Sequence, residues 1–177
     1  SLVNDGFSHV VMEVSSHALH QLRVSNVHFD VAIFTNLTPE HLDYHKTMED
    51  YFKTKSTLFN LLKEKNGKAI INYDDDYGKK LVSSINYDIT LFSKTDSTKS
   101  SFYKINDYKN KIDGIIKSDR STYKIKSNLI GEYNLENILA AVTTLDSLKI
   151  NENAITEGIK NCRKVPGRLE SFLIKTG

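Results

Sequence analysis

The hydrophobic pattern of the chain predicts strands and helices in alternation. Short apolar runs at residues 9–14, 30–35, 68–72 and 89–93 are typical of strands buried on both faces. The segments with helical periodicity or helix signals are 16–24, 40–42, 48–62, 75–84, 133–148 and 152–162. Strands that alternate with helices predict an α/β fold with a mostly parallel sheet flanked by helices.

Residues 100–126 have a different pattern, in which apolar and polar side chains alternate. Asn110-Lys111 and Asp119-Arg120 mark turns, so we expect a small antiparallel β meander with one solvated face. Pro166-Gly167 breaks the chain before a last predicted strand at 169–174.

Polar side chains follow three of the predicted parallel strands. Ser15 and Asn36 come directly after predicted strands, and Asn72 is the last residue of one. Ligands of parallel sheets bind beyond the carboxyl ends of the strands. The pattern therefore predicts that these three side chains share one edge of the sheet.

Composition narrows the class of protein. The chain has 177 residues, 39% of them hydrophobic, and a net charge of +2, which gives no electrostatic case for nucleic acid. Cys162 is the single cysteine, which fits a reducing compartment. No apolar run is long enough to span a bilayer. We therefore expect a cytoplasmic protein with neither a membrane nor a nucleic-acid partner.

Lys55 stands within the apolar stripe of the helix predicted at 48–62, for which Thr47 is the expected cap. Two interpretations remain open. The lysine can extend its amine from the edge of the stripe into water. Alternatively it lies in a desolvated setting, where its pKa falls and its amine becomes reactive.

A second cluster combines carboxylates with imidazoles. Glu13 lies near the end of a predicted apolar strand, where an ionised group needs a partner or a metal. His41, Asp43 and His45 lie within six residues of one another in the run EHLDYH. These ligand types suit a hard or borderline divalent cation, although short loops are often polar without binding metal.

Two common catalytic signatures are absent from the printed sequence. Ser15-Ser16-His17 lacks the G-x-S-x-G pattern, which argues against a serine hydrolase. The phosphate-binding motif G-x-x-x-x-G-K-[ST] does not occur in the 177 residues.

Six motifs together resemble the Mur ligase family, in its order and with fitting gaps. They are MEVSSHAL (12–19), FTNLTPEHLDYH (34–45), YFKTKSTLF (51–59), AIINYDDD (69–76), GEYNLENILAA (131–141) and VPGRLE (165–170). The resemblance implies the family's central ATP-binding domain. It is closest to the branch that adds diaminopimelate or lysine to UDP-N-acetylmuramoyl-L-alanyl-D-glutamate through an acyl phosphate, in bacterial peptidoglycan synthesis.

The resemblance also implies roles for particular residues. Glu13 would bind Mg²⁺ near the ATP phosphates, His41 would bind a second Mg²⁺, and Lys55 would match a lysine that the family carbamylates. Ser15, Gln21 and Arg23 would bind the UDP-muramyl peptide. Asp43 and His45 stay possible site residues because they belong to the cluster of carboxylates and imidazoles. The positions implied to bind the nucleotide are Asn134, Asn137 and Arg168, with Asn72 and Asp74 as further candidates. Asn134 has an alternative role as the N-cap of the following helix.

The family has three domains, and the resemblance implies that this chain covers only part of them. We expect residues 1–166 to belong to the central domain and residues 167–177 to begin the C-terminal domain. The expected partners are ATP, the UDP-muramyl peptide, an amino acid and the remaining domains of the same enzyme. We expect the 177 residues by themselves to be inactive.

Two other functions remain open. One is a related ligase on the same scaffold, such as a folylpolyglutamate or cyanophycin synthetase. The other is a non-catalytic binding module that lacks the phosphate loop. A Gly-rich G-K-T loop upstream of Glu13 in the full gene would favour the ligase.

Overall fold

The computed structural model describes residues 4–162. Arg168, the strand predicted at 169–174 and the domain boundary predicted after residue 166 lie outside this range. Those three remain predictions.

The described strands form two sheets of three. The parallel sheet has the order β1 (Val31–Phe34), β2 (Lys68–Asn72), β3 (Asp88–Phe92). The antiparallel sheet has the order β4 (Ser101–Asp107), β5 (Ile112–Lys117), β6 (Thr122–Ser127). The α/β fold with a small meander is therefore confirmed.

Six α-helices connect and cover these strands within residues 4–162. They are α1 (Ser16–His20), α2 (Leu42–His45), α3 (Met48–Ser56), α4 (Asp76–Val82), α5 (Glu132–Ser147) and α6 (Glu152–Asn161). None of the helices in this part of the chain combines the length and the apolar character needed to cross a membrane.

Strand β2 is buried on both faces, as its continuous apolar run predicts. Ala69 and Ile71 belong to a core shared with α3 and α4, whereas Ile70 belongs to a second core. That second core joins α5 and α6 to the antiparallel sheet through Ile112, Ile116 and Ile125. Helix α5 thus packs between the two sheets.

The strand predicted at residues 9–14 is wrong. This segment is in the described range but forms no strand, and Val11 is 95% exposed. A strand requires a hydrogen-bonded neighbour, and β1 pairs only with β2 among the described strands. Ser15 therefore does not follow a strand, whereas Asn36 and Asn72 do lie at the carboxyl edge of the parallel sheet.

Helix boundaries also differ from the prediction, and the differences at α2 and α3 concern candidate site residues. The α-helix that begins at Met48 ends at Ser56 and continues as a 3₁₀ helix over Thr57–Leu61. Thr47 caps its start as expected, because its side chain accepts from the amide of Asp50 at 3.1 Å. The short helix after Pro39 begins only at Leu42, since His41 has a left-handed backbone with φ 56°.

Candidate active site

The three residues expected to bind the peptide substrate flank the short helix α1. The Ser15 hydroxyl caps α1 and accepts a hydrogen bond from the amide of Ala18 at 3.2 Å. Gln21 follows the last turn, and the Arg23 amide donates to the Ala18 carbonyl at 2.9 Å. All three side chains belong to exposed residues, so they surround one short helix on the surface.

Histidines and a tyrosine join α1 to α2. The His45 Nε2 atom lies 2.8 Å from the Ser16 hydroxyl, and His20 Nδ1 lies 2.7 Å from the Tyr44 hydroxyl. The ring of His17 lies 5.2 Å from that of His41, measured between centroids. These contacts bring His41, at the start of α2, beside the helix that Ser15 caps.

Lys55 is half-buried on α3, and its Nζ atom lies 5.8 Å from the centroid of the Tyr51 ring. Burial lowers the pKa of Lys55, while the nearby carboxylates of Glu13 and Glu40 partly offset that effect. The His41 ring lies 6.1 Å from the same tyrosine ring. The charge of Glu13 acts on Lys55, and His41 and Lys55 both lie near the Tyr51 ring, so the three residues occupy the same region. The family resemblance implied this grouping.

Glu13 is exposed rather than buried in a strand. The energetic argument that a buried carboxylate requires a metal is therefore wrong for this residue. Glu13 stays a candidate for another reason, because its charge acts on the partly desolvated amine of Lys55.

The donor set suits a magnesium site that is shared with a nucleotide. Within residues 4–162, no group of three or more histidine, cysteine or acidic side chains is arranged to hold a metal ion. Mg²⁺ at nucleotide sites needs only one or two protein ligands, because phosphate oxygens and water complete its shell. Carboxylate and imidazole donors near Lys55 meet that smaller requirement.

His45 differs from the other candidates because it is buried, with 6% of its surface exposed. Burial lowers the pKa of His45, and the charges of His17, His20 and His41 lower it further. Its ring stacks on Tyr51, so its geometry supports packing between helices. Asp43 is exposed in the first turn of α2.

Asn72 and Asp74 are occupied by contacts within the protein. The Asn72 side chain donates to the Thr35 carbonyl at 2.8 Å and accepts from the Asp74 amide at 3.0 Å. The Asp74 carboxylate accepts from the hydroxyls of Ser93 and Thr95 at 2.5 and 2.6 Å. These bonds lower the pKa of Asp74 and tie the end of β2 to the loop after β3, although burial opposes the shift.

Asn134 and Asn137 lie on successive turns of α5 near its start. Asn134 does not cap the helix, because Gly131 occupies the N-cap position with φ 86°. Instead the side-chain NH₂ group of Asn134 donates to the Ile130 carbonyl at 2.7 Å. Lys94, in the loop after β3, contacts Glu132 and Glu136 at 2.8 and 2.5 Å, which fixes the start of α5 against the carboxyl edge of the sheet.

Sequence reasoning missed three contributors to this site. Glu40 acts electrostatically on Lys55, His17 contacts the His41 ring, and the Tyr51 ring lies near both His41 and Lys55. The adjacency of Glu40 to His41 was a usable signal. The spacing of Tyr51 and Lys55, four residues apart on one helix, was another.

The fold and the site define the class of protein. The Mur ligase middle domain family matches residues 1–145, and the chain belongs to this family.

Particular relatives narrow the comparison. The chain is 43% identical over 174 residues to the UDP-N-acetylmuramoyl-L-alanyl-D-glutamate--2,6-diaminopimelate ligase of Nostoc sp., covering 97% of this chain and 35% of the relative. It is 42% identical over 174 residues to the ligase of the same name from Geobacter metallireducens, covering 96% of this chain and 34% of the relative. The chain thus spans about a third of the length of these relatives.

Solved structures agree in fold. A structure of a UDP-N-acetylmuramoyl-L-alanyl-D-glutamate--2,6-diaminopimelate ligase matches with TM-score 0.83 at 27% identity, covering 97% of this chain and 36% of that one. A MurF ligase from Thermotoga maritima in complex with ADP matches with TM-score 0.73 at 21% identity, covering 92% of this chain and 36% of that one. The second likeness shows the fold alone.

Proposed function

We propose that this chain is the ATP-handling part of a longer ligase that joins diaminopimelate to UDP-N-acetylmuramoyl-L-alanyl-D-glutamate. The names of relatives at 43% and 42% identity support this reaction. The observation that carries the proposal is the environment of Lys55. Burial lowers the pKa of Lys55, the charges of Glu13 and Glu40 act on it, and Lys55 and His41 both lie near the Tyr51 ring. A desolvated lysine among carboxylates is an unusual arrangement that the proposed chemistry explains.

The proposed reaction has two steps. A carboxylate oxygen of the muramyl peptide bonds to the γ-phosphorus of ATP, and the bond from that phosphorus to the bridging oxygen breaks, so ADP leaves. The amine of diaminopimelate then attacks the carbonyl carbon of the acyl phosphate, and phosphate and a proton are released. The protein must hold three substrates in line and stabilise the charge on the transferring phosphoryl group.

Lys55 would serve this reaction as a carbamate. Its neutral amine adds to the carbon of CO₂ and releases one proton, which leaves an anion with two oxygen donors. Burial favours the neutral amine that this addition requires. Glu13, His41 and the carbamate would hold Mg²⁺, which would neutralise and orient phosphate oxygens.

The remaining candidates would hold the organic substrates. Ser15, Gln21 and Arg23 lie at or just beyond the ends of α1. The guanidinium of Arg23 can bind a carboxylate or phosphate through two parallel hydrogen bonds. Asn134, Asn137 and Arg168 would contact the nucleotide. Asn72, whose amide is committed to Thr35 and Asp74, would act through the loops that it holds.

Because ATP and UDP-linked precursors are cytoplasmic compounds, we place the reaction in the bacterial cytoplasm. The phosphate loop and the sites for the rest of the muramyl peptide and for the amino acid would be supplied by other parts of the longer enzyme.

A turnover assay of the full-length protein tests the proposal. The assay supplies ATP, Mg²⁺ and UDP-N-acetylmuramoyl-L-alanyl-D-glutamate, with diaminopimelate or lysine in parallel arms. In the arm that contains diaminopimelate, we expect ADP and the extended peptide to form in equal amounts. His41→Ala should abolish product formation, whereas His28→Ala, at an exposed histidine on the preceding loop, should not. Nucleotide binding without amide formation in any arm would contradict the ligase and favour a binding module.

A further inference from the structure

Two hydrogen bonds hold the segment that leads from β1 to His41. Their side-chain partners are Asn72, at the end of β2, and Asp75, at the start of α4. The Asn72 side chain donates to the carbonyl of Thr35 at 2.8 Å. Two residues later, the amide of Leu37 donates to the Oδ2 atom of Asp75 at 3.1 Å. The two contacts lie on either side of Asn36, so they fix the chain as it leaves the sheet.

The Asp75 carboxylate is itself held in one orientation. Its Oδ1 atom caps α4 by accepting from the amides of Tyr77 and Gly78 at 2.9 and 3.0 Å. One oxygen therefore belongs to the helix start and the other to Leu37. A carboxylate can serve both at once because it has two acceptor oxygens and no donor.

The far end of the same segment is also fixed. Four residues after Leu37, His41 begins the stretch that runs into α2, and His45 in that helix is hydrogen-bonded to Ser16. The Leu37 side chain is buried, with 6% of its surface exposed. His41 itself is exposed and has a left-handed backbone, so its ring position depends on how these two ends are held.

We propose that Asp75, together with Asn72, is a positioning residue that holds the 35–41 segment so that the His41 ring stays near Tyr51, on the helix that carries Lys55. The effect of Asp75 on metal binding rests on the proposed function. Its effect on the 35–41 segment rests only on the two hydrogen bonds. Asp75 touches neither His41 nor any substrate group, and it acts through the backbone of Leu37.

The alternative role for Asp75 is that of a helix cap and nothing more. Asp75→Asn separates the two roles. Asparagine is as good an N-cap as aspartate, so its single oxygen can keep the amides of Tyr77 and Gly78. Its NH₂ group then faces the Leu37 amide, and two donors meet where a donor met an acceptor.

Asp76→Asn is the matched control. Asp76 is the next residue, its side chain is 94% exposed, and it forms a surface ion pair with Lys79 at 3.0 Å. Both substitutions remove one negative charge from the same turn, so a general charge effect would appear in both variants.

The experiment measures amide hydrogen exchange and Mn²⁺ affinity in the full-length protein. Exchange is followed in residues 36–45 and 76–82, and Mn²⁺ binding is followed by electron paramagnetic resonance. For Asp75→Asn we expect about tenfold faster exchange at Leu37 and in residues 36–45, little change in α4, and about tenfold weaker Mn²⁺ binding, as fits the loss of a hydrogen bond to a charged group. Asp76→Asn should match the wild type in all three.

The proposal is overturned if exchange in residues 36–45 stays at the wild-type rate, or if it rises only together with exchange across α4. If the wild-type protein binds no Mn²⁺ while Asp75→Asn still loosens the segment, the proposed function fails and the positioning contact stands.

Asn72→Asp provides a second test should Asp75→Asn not fold. It keeps the oxygen that accepts from the Asp74 amide but turns a carboxylate oxygen toward the Thr35 carbonyl. We expect the same acceleration of exchange near residue 35, and an unchanged rate there would also overturn the proposal.

Discussion

The ring of His45 stacks on the ring of Tyr51, with centroids 4.9 Å apart and planes 12° from parallel. This pair joins α2 to α3 in the interior, since both residues are buried with 6% of their surface exposed. The His41 ring and the Lys55 Nζ atom lie 6.1 and 5.8 Å from the centroid of the same Tyr51 ring. The stack therefore holds a ring that contacts two residues that we propose as metal ligands.

Stability should fall in mild acid because of His45. Its pKa is lowered in the folded protein by burial and by three neighbouring histidines, so the unfolded chain binds more protons below about pH 6.5. Its contribution is present above that pH and is lost as the pH falls through the lower folded pKa. We expect His45→Gln, which keeps a hydrogen-bonding side chain, to flatten the loss of Tm between pH 7.5 and 5.5.

His28→Gln is the matched control, because His28 is exposed. Its pH profile of Tm should follow that of the wild type. Equal flattening by both substitutions would show that the buried position of His45 is not the cause.

Two helical glycines should respond to alanine in opposite directions. A Cβ at Gly78 would lie 2.0 Å from the carbonyl oxygen of Asn72, whereas a Cβ at Gly158 would meet nothing within 4 Å. Gly158→Ala should raise stability by about 0.5–1 kcal/mol, since alanine is the better helix former. Gly78→Ala should lower it, because the helix start or the end of β2 must move.

Thermal unfolding of both variants measures this contrast. A change of about 1 kcal/mol corresponds to a Tm shift of about 2–4 °C for a domain of this size. A stabilised Gly78→Ala would show that α4 does not pack against Asn72 as described.

The Tyr123 hydroxyl should stabilise the contact between the antiparallel sheet and α5. It donates to the buried carboxylate of Asp146 at 2.5 Å, and burial together with this bond raises the pKa of Tyr123 to about 12. Tyr123→Phe leaves that carboxylate with Ser118 and Arg120 only, among the partners seen. We expect a loss of about 1–3 kcal/mol in the free energy of unfolding, measured with urea.

Tyr133→Phe serves as its control, because Tyr133 is 74% exposed. Its urea midpoint should stay within error of the wild type. If Tyr123→Phe also leaves the midpoint unchanged, the hydroxyl does not contribute to stability.

Much of the fold was readable from the sequence because the signals are local. The apolar run of β2 gave its bounds correctly, and Thr47 marked the start of α3. The segment at 9–14 carried the same apolar signal as β2 but forms no strand, since pairing depends on a neighbour that the local pattern does not encode.

The site was only partly readable for the same reason. The candidacy of Lys55 followed from its place in an apolar stripe, and burial does lower its pKa. The bond from Leu37 to Asp75 joins residues 38 positions apart, and no periodicity predicts it. The contacts between the histidines of α1 and α2 likewise depend on how the helices pack.

The central claim is that Lys55 acts as a carboxylate-type ligand in an ATP-dependent ligase. The decisive variants of the full-length protein are Lys55→Ala and Lys53→Ala, because Lys53 is exposed on the same helix. Loss of a group that stabilises transferring charge should reduce turnover about 100-fold or more, and Lys53→Ala should be unaffected.

Chemical rescue of Lys55→Ala is measured as its rate of amide formation with added acetate or added methylamine. We expect acetate to restore part of the rate, because a carboxylate replaces the missing carbamate, and methylamine to restore none. Rescue by methylamine alone, or wild-type turnover by Lys55→Ala without any addition, would contradict the role of Lys55 as a carboxylate-type ligand.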